Sequence, residues 1–170
     1  MNEQAMLEIL DRVRNRFYGK YRGTVTNVDD PTKRGRIKAK VPAVLEDQDT
    51  GWCMPCAPYA GPDVGLVFIP EVGAGVWIEF EGGDVSYPIW TGCYWRDGEM
   101  PSAAGPAVKT IRTSAGHEIL IDDDAGSITI TDSNGNTVTL DSSGIKLEAG
   151  CKIQIGASKV DVNDGALEVT

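Results

Sequence analysis

At 170 residues the chain is long enough for one large domain or two small ones, and its 20 glycines and 9 prolines are too many for a helical protein yet too few for a low-complexity one. The formal net charge of -9 argues against whole-chain affinity for nucleic acid or acidic membranes, although ten of the sixteen Lys and Arg residues fall in the first forty positions. The expectation is an all-β chain in two unequal parts with helix as a minor component. No apolar run is long enough to span a bilayer and Met1-Asn2-Glu3-Gln4 begins no signal peptide, so cytoplasmic synthesis and retention are expected.

Residues 4–17 place Met6, Leu10, Val13 and Phe17 at i, i+4, i+7 and i+11, which predicts an amphipathic helix of about four turns. Its acids lie early and its arginines late, as the helix dipole favours. The stripe either covers an open end of the following domain or docks on another protein. Periodicity alone leaves both open.

Residues 21–28 and 36–41 read as two strands joined by the Asp29-Asp30-Pro31-Thr32-Lys33-Arg34-Gly35 connection. The second turns Arg36, Lys38 and Lys40 outward and Ile37, Ala39 and Val41 inward. Three further apolar runs, 64–69, 76–80 and 88–95, are cut by glycine-bearing turns and complete a set of five. In the middle one Val76, Ile78 and Phe80 alternate with Trp77, Glu79 and Glu81. Five strands over one apolar interior suggest an OB-like barrel. The basic second strand raises the alternative of an OB-fold nucleic-acid or ligand-binding protein with a trimerising β-tail, its nucleic-acid form opposed by the acidic total and the lack of aromatics on that strand. Otherwise the strand is a solvated face or meets an acidic protein neighbour.

Between the second and third of these runs lies a long, proline-stiffened loop, residues 43–63, in which Trp52 is the expected anchor. It carries Cys53-Met54-Pro55-Cys56. A zinc site needs four ligands, and no second CxxC or paired histidines exist. With Cys93 and Cys151, these cysteines are expected to be free thiols, Cys53 and Cys56 buried, with no metal and no cofactor bound.

The order Gly35-Arg36-Ile37-Lys38, Val41-Pro42, Gly51-Trp52, Tyr59-Ala60-Gly61, then Ile69-Pro70-Glu71-Val72-Gly73-Ala74-Gly75-Val76-Trp77-Ile78-Glu79-Phe80 and Pro88-Ile89-Trp90-Thr91-Gly92 resembles the OB domain of contractile-tail spike proteins. That group includes phage baseplate assembly protein V, the spikes of extracellular injection systems and tailocins, and the VgrG proteins of type VI secretion. The resemblance covers about half the chain. It implies a homotrimeric central spike that docks on a baseplate hub protein, is assembled in the bacterial cytoplasm, and belongs to a virion baseplate or phage-tail-like particle. On that docking reading Arg36, Lys38 and Lys40 are the candidate hub-facing residues.

Residues 97–108 are rich in Pro, Gly and Ala and read as a linker. The lysozyme domain that some phage spikes carry at this point has no room here. From Lys109 onward apolar pairs recur every seven to ten residues: Ile119/Ile121, Ile128/Ile130, Val138/Leu140, Ile145/Leu147, Ile153/Ile155, Val160/Val162 and Leu167/Val169. Strands this short cannot bury one apolar face alone, so three chains facing a common axis are the economical solution. A single-chain β-solenoid competes but needs longer rungs. The resemblance implies an intertwined trimeric β-helix here, with 114–123 similar to its entry motif. The expected trimer core comprises Ile128, Ile130, Val138, Leu140, Ile145, Leu147, Cys151, Ile153, Ile155, Val160 and Val162.

The domain reading is therefore a helix over 1–18, an OB-fold domain over 19–96, a linker over 97–108 and a β-helical spike over 109–170. His117 stands alone and suits a turn better than a triad or zinc site. Asp122-Asp123-Asp124 and Asp132-Ser133-Asn134-Gly135-Asn136 read as solvated turns, not cation loops. A structural role, not an enzymatic one, is expected: puncture of the target envelope, with only transient membrane contact and no nucleic acid. Related short spikes close their own points on histidine-bound iron, whereas no histidine follows His117. Leu167, Val169 and Thr170 are accordingly expected to present open strand edges to a PAAR-like tip protein.

Overall fold

The computed structural model describes residues 3–169, with the side chains of Glu3, Ala5, Glu8, Asp11, Arg12, Arg14, Glu168 and Val169 outside that description. It divides into one compact unit up to Gly98 and another from Glu99 onward.

The first unit opens with helix α1, Glu3–Arg14. The helix stops short of Phe17 because that ring turns into an aromatic cluster, with centroids 6.2 Å from Tyr21 and 6.3 Å from Phe80. Of the expected stripe only Phe17 packs on the core, while Met6, Leu10 and Val13 stay exposed. The Phe17 amide donates to Gly83 O at 2.8 Å and Arg16 pairs with Asp84 at 3.0 Å, which pins the root of the helix.

Strands β1 (Tyr21–Asn27) and β2 (Lys38–Lys40) are followed by a single helical turn, α2 (Pro42–Leu45). Next come β3 (Met54–Pro55), the hairpin β4 (Ala60–Gly61) and β5 (Val64–Gly65), and the longer strands β6 (Gly75–Phe80) and β7 (Pro88–Tyr94). Five of them form one sheet in the order β2-β1-β6-β7-β3. Its two edges meet where Ile37 and Cys53 exchange both backbone hydrogen bonds, at 2.8 and 3.3 Å, so the sheet curls around its contents.

The contents follow the alternation of the sequence. Ile37, Ala39 and Val41 from one side and Val76, Ile78 and Phe80 from the other are buried with Val25, Cys53 and Trp90. Two polar atoms inside are satisfied locally, as buried groups must be. Trp90 Nε1 donates to Gly35 O at 3.1 Å, and Thr50 Oγ1 accepts the Ala39 amide at 3.0 Å.

The expected strand over residues 64–69 does not join this sheet. Only Val64 and Gly65 pair, with β4, and Leu66, Val67, Phe68 and Ile69 lie exposed. The fifth place is taken by β3, which runs parallel to β7. The run is apolar at both parities and so carries no inward face, and Pro62 and Pro70 bracket it without amide donors for a ladder.

The second unit is an antiparallel meander of eight strands: β8 (Val108–Arg112), β9 (Glu118–Asp122), β10 (Ser127–Thr131), β11 (Thr137–Asp141), β12 (Gly144–Glu148), β13 (Lys152–Ile155), β14 (Val160–Val162) and β15 (Leu167–Val169). Each pairs only with its sequence neighbours. The competing single-chain solenoid, whose rungs stack in parallel, therefore does not form among the described residues.

Short turns set the register. Asp132 accepts the amides of Asn134 and Asn136 at 2.9 Å each and the Asn136 side-chain amide at 2.8 Å, closing 132–136 as a turn. These bonds, the Asn136 side chain first, hold the Asp132 carboxyl at about 2. His117 Nδ1 accepts the Ser133 amide at 3.2 Å and so ties neighbouring turns together. Gly144 combines a φ of 128° with a close approach: a Cβ there would lie 1.9 Å from Ile155 O.

Ile78→Ala, at a fully buried site, is expected to cost the first unit about 2–5 kcal/mol, the usual range for such a truncation. All four tryptophans precede Gly98, so urea unfolding followed by tryptophan fluorescence reads that unit alone, and an unchanged midpoint would contradict the packing. Asp132 should titrate near pH 2. Its depressed value means the turn's stabilisation is complete above about pH 4, the ordinary Asp range, and is lost as pH falls towards 2. Carboxyl carbon chemical shifts against pH check this, and a midpoint near 4 would contradict it.

Candidate assembly interface

The register of the meander converts the spaced apolar pairs of the sequence into two continuous ladders on one face. One runs Ile111, Ile119, Ile130, Val138, Leu147, Ile153, Val162, Leu167. The other runs Ile121, Ile128, Leu140, Ile145, Ile155, Val160. Directly opposed residues on neighbouring strands are the unit of sheet packing, and every rung here brings β-branched or leucine side chains together. Ten of the expected core residues thus lie side by side. Cys151 precedes β13 and lines a hollow of about 430 Å³ with Ile130, Val138, Leu147 and Ile153.

Apart from Val108 and Leu120, the opposite face is polar and finds partners within the chain. Thr110 donates to Glu118 at 3.0 Å, Arg112 reaches the same carboxylate at 3.4 Å, Lys146 pairs with Glu148 at 2.8 Å and Lys152 pairs with Asp164. The apolar face has no such cover. Ile130 is 44% exposed and Ile155 43%, whereas Thr129 and Gln154 beside them on the polar face are half-buried. A soluble sheet ordinarily shows the reverse.

Covering that face would gain roughly 1 kcal/mol per side chain at about 25 cal/mol per Å². Over two full ladders the total is of the order of a whole domain's stability, about 5–15 kcal/mol. A face with that much to gain from being covered is suited to association with an apolar surface. Leu167, 60% exposed, continues the first ladder on β15, while the Val169 side chain and Thr170 lie outside the described residues.

The basic residues of β2 and its approach are already engaged within the chain. Arg36 donates to Asp30 Oδ1 through Nη2 at 2.6 Å and Nε at 3.0 Å. Asp30 also accepts the Arg34 and Thr32 amides, and with Arg36 as the main cause its carboxyl is held far below the usual range. The Arg36 guanidinium and the Lys38 ammonium lie 5.5 and 5.2 Å from the Trp52 ring centroid, and Lys40 pairs with Asp47 at 3.3 Å.

The CxxC cysteines part company. Cys53 is buried against Thr50 Oγ1 at 3.1 Å, and burial pushes its thiol up to about 11, so it is protonated. Cys56, expected to be buried, is exposed, because it follows β3 out of the core onto a cleft. Among the described residues no cluster of His, Cys, Asp and Glu has the makings of a metal site.

Residues 21–95 match the family described as the type VI secretion system/phage-baseplate injector OB domain, and residues 109–168 match the phage baseplate V C-terminal trimerisation domain. The chain belongs to the baseplate spike family. Two curated relatives of this spike-family chain are the type VI secretion system spike proteins VgrG2a and VgrG2b of Pseudomonas aeruginosa, each 31% identical over 106 residues. The matched part is 55% of the chain but only 13% and 10% of those much longer relatives.

Both apolar ladders of the spike chain thus fall within its trimerisation domain. Sequence reasoning left Ile111, Ile119 and Ile121 out of the expected core, although the period-two spacing of Ile119 and Ile121 was an available signal; Ile111 has no apolar neighbour at that spacing. Ile145→Asp is expected to abolish association, since three carboxylates would be buried together. Thr139→Asp, on the polar face, should leave it intact. Sedimentation velocity distinguishes the two, and an Ile145→Asp chain of unchanged sedimentation would contradict the assignment.

Proposed function

We propose that this chain is the homotrimeric central spike of a contractile injection machine, with no enzymatic activity of its own. Three copies close their bare apolar faces on a common axis as an intertwined β-helix, whose core is the set from Ile128 to Val162 with Cys151. The observation that carries this reading is the pair of uncovered apolar ladders opposite a self-satisfied polar face, inside the segment that matches a trimerisation domain.

The mechanism is mechanical. A narrow trimer with its backbone groups bonded in ladders transmits the thrust of sheath contraction along its axis, and the target membrane is met only at the moment of puncture. The OB domains sit on the baseplate hub protein through the side that carries Arg36, Lys38 and Lys40. With Arg36 and Lys40 each paired to a carboxylate of the chain, this contact relies on shape and on the Trp52 stack more than on free charge. Leu167, Val169 and Thr170 are the proposed contact for a PAAR-like tip protein. Support for that comes from the exposure of Leu167 and from the second edge of β15, which carries no strand among the described residues. Assembly takes place in the bacterial cytoplasm, and the finished trimer is part of a phage-tail-like particle or virion baseplate. Nucleic-acid binding is not favoured, because the basic strand is internally engaged and the chain carries a net charge of -9.

Light scattering on the full chain should give three times the 18.2 kDa chain mass, and a chain truncated after Gly98 should be monomeric or weakly associating. A monomeric full chain would contradict the proposal.

A further inference from the structure

The first unit leaves two apolar surfaces open, and they differ in shape. One is convex: Met6, Leu10 and Val13 of α1 are 56%, 53% and 70% exposed. The other is concave, a cleft of about 1000 Å³ whose lining includes Cys56, Tyr59, Leu66, Phe68, Trp90 and Cys93. From Val64 to Pro70 the sequence offers no charged or polar side chain, so whatever covers that wall must itself be apolar. An exposed patch on this scale marks an interaction site, and a helix with anchors at i, i+4 and i+7 is the shape an apolar groove receives.

The positions of the two surfaces decide whose helix fits. The contacts of Arg16 and Phe17 with residues 83 and 84 root α1 beyond the Phe80 end of β6. The cleft opens towards the other end of the sheet, where Val76 pairs with Cys93 and Asp29 and Asp30 form the rim. A three-fold ring needs two different, mutually complementary surfaces on every protomer, because its contacts run head to tail. This chain has such a pair, and the trimerisation domain would hold three sets of them together at effective concentrations of roughly millimolar.

We infer that in the trimer α1 of each protomer docks its Met6, Leu10 and Val13 stripe in the cleft of the next, closing a ring of helix-in-groove contacts around the OB domains. The inference rests on the trimeric reading above, and its test separates the two. The cleft already holds exposed thiols at Cys56 and Cys93, so Leu10→Cys in the full chain supplies a partner for them. With Cys151, placed above in the trimer core, replaced by serine in every variant, mild copper–phenanthroline oxidation should move most of the Leu10→Cys protein to covalent dimer and trimer bands that the chain with Leu10 intact does not form. Adding Cys56→Ser and Cys93→Ser should abolish them. A protein of trimeric mass that yields only monomer bands, free or internally crosslinked, would overturn the docking and leave the trimer standing; a monomeric mass would remove both. As an independent readout, Leu10→Asp with Val13→Asp should speed amide exchange over residues 66–69 at least tenfold. Unchanged exchange in the trimer would overturn the inference and leave a baseplate partner as the cover for the cleft.

Discussion

The structure depends on an apolar face that one chain does not cover. An antiparallel sheet is stable in water when its apolar side meets a second layer. In the second unit that layer is missing: along the rungs from Ile111 to Leu167 the isoleucines and leucines are exposed and Val138, Val160 and Val162 only half-buried, while carboxylates and cations of the opposite side are matched within the chain. The constraint accounts for the shape of the sequence after Lys109. Strands of three to five residues and turns closed by Asp132, Asp141 and Asn163 leave nothing in the segment from which a second layer could be built.

The two units solve burial in opposite ways. The first curls its sheet until Ile37 and Cys53 meet, so that Val25, Ile78 and Trp90 are covered without help. The second leaves its apolar face open, and on the proposed reading a partner that covers the face stabilises the fold by mass action, which links folding to association. A spike built this way would be stiff once assembled, because its core and its interface are the same residues.

Much of this was legible in the sequence, and the failures have physical causes. Alternation over 76–81 and 36–41 predicted which side chains face inward, because a strand buried on one face repeats every two residues. The ladders were legible for the same reason, and so was the resemblance to contractile-tail spikes. The run 64–69 was misread as a core strand because an apolar surface awaiting a partner has the same composition as a buried strand, and only its lack of alternation distinguished it. Cys56 was expected inside because the sequence does not show that β3 is two residues long and leaves the core at once. Arg36 looked free, since nothing in its strand revealed that Asp30, six residues earlier, would clasp it at 2.6 Å.

The central claim is that the apolar ladders of separate chains meet one another. Isotope-filtered methyl NOE spectra of a trimer refolded from chains of two labelling schemes test it most directly. The account predicts interchain contacts among the methyl groups of Ile128, Leu140, Ile145 and Ile155, and none to the Thr129 or Thr139 methyls of the polar face. Interchain contacts confined to the polar-face threonines, or their absence throughout the second unit, would contradict it.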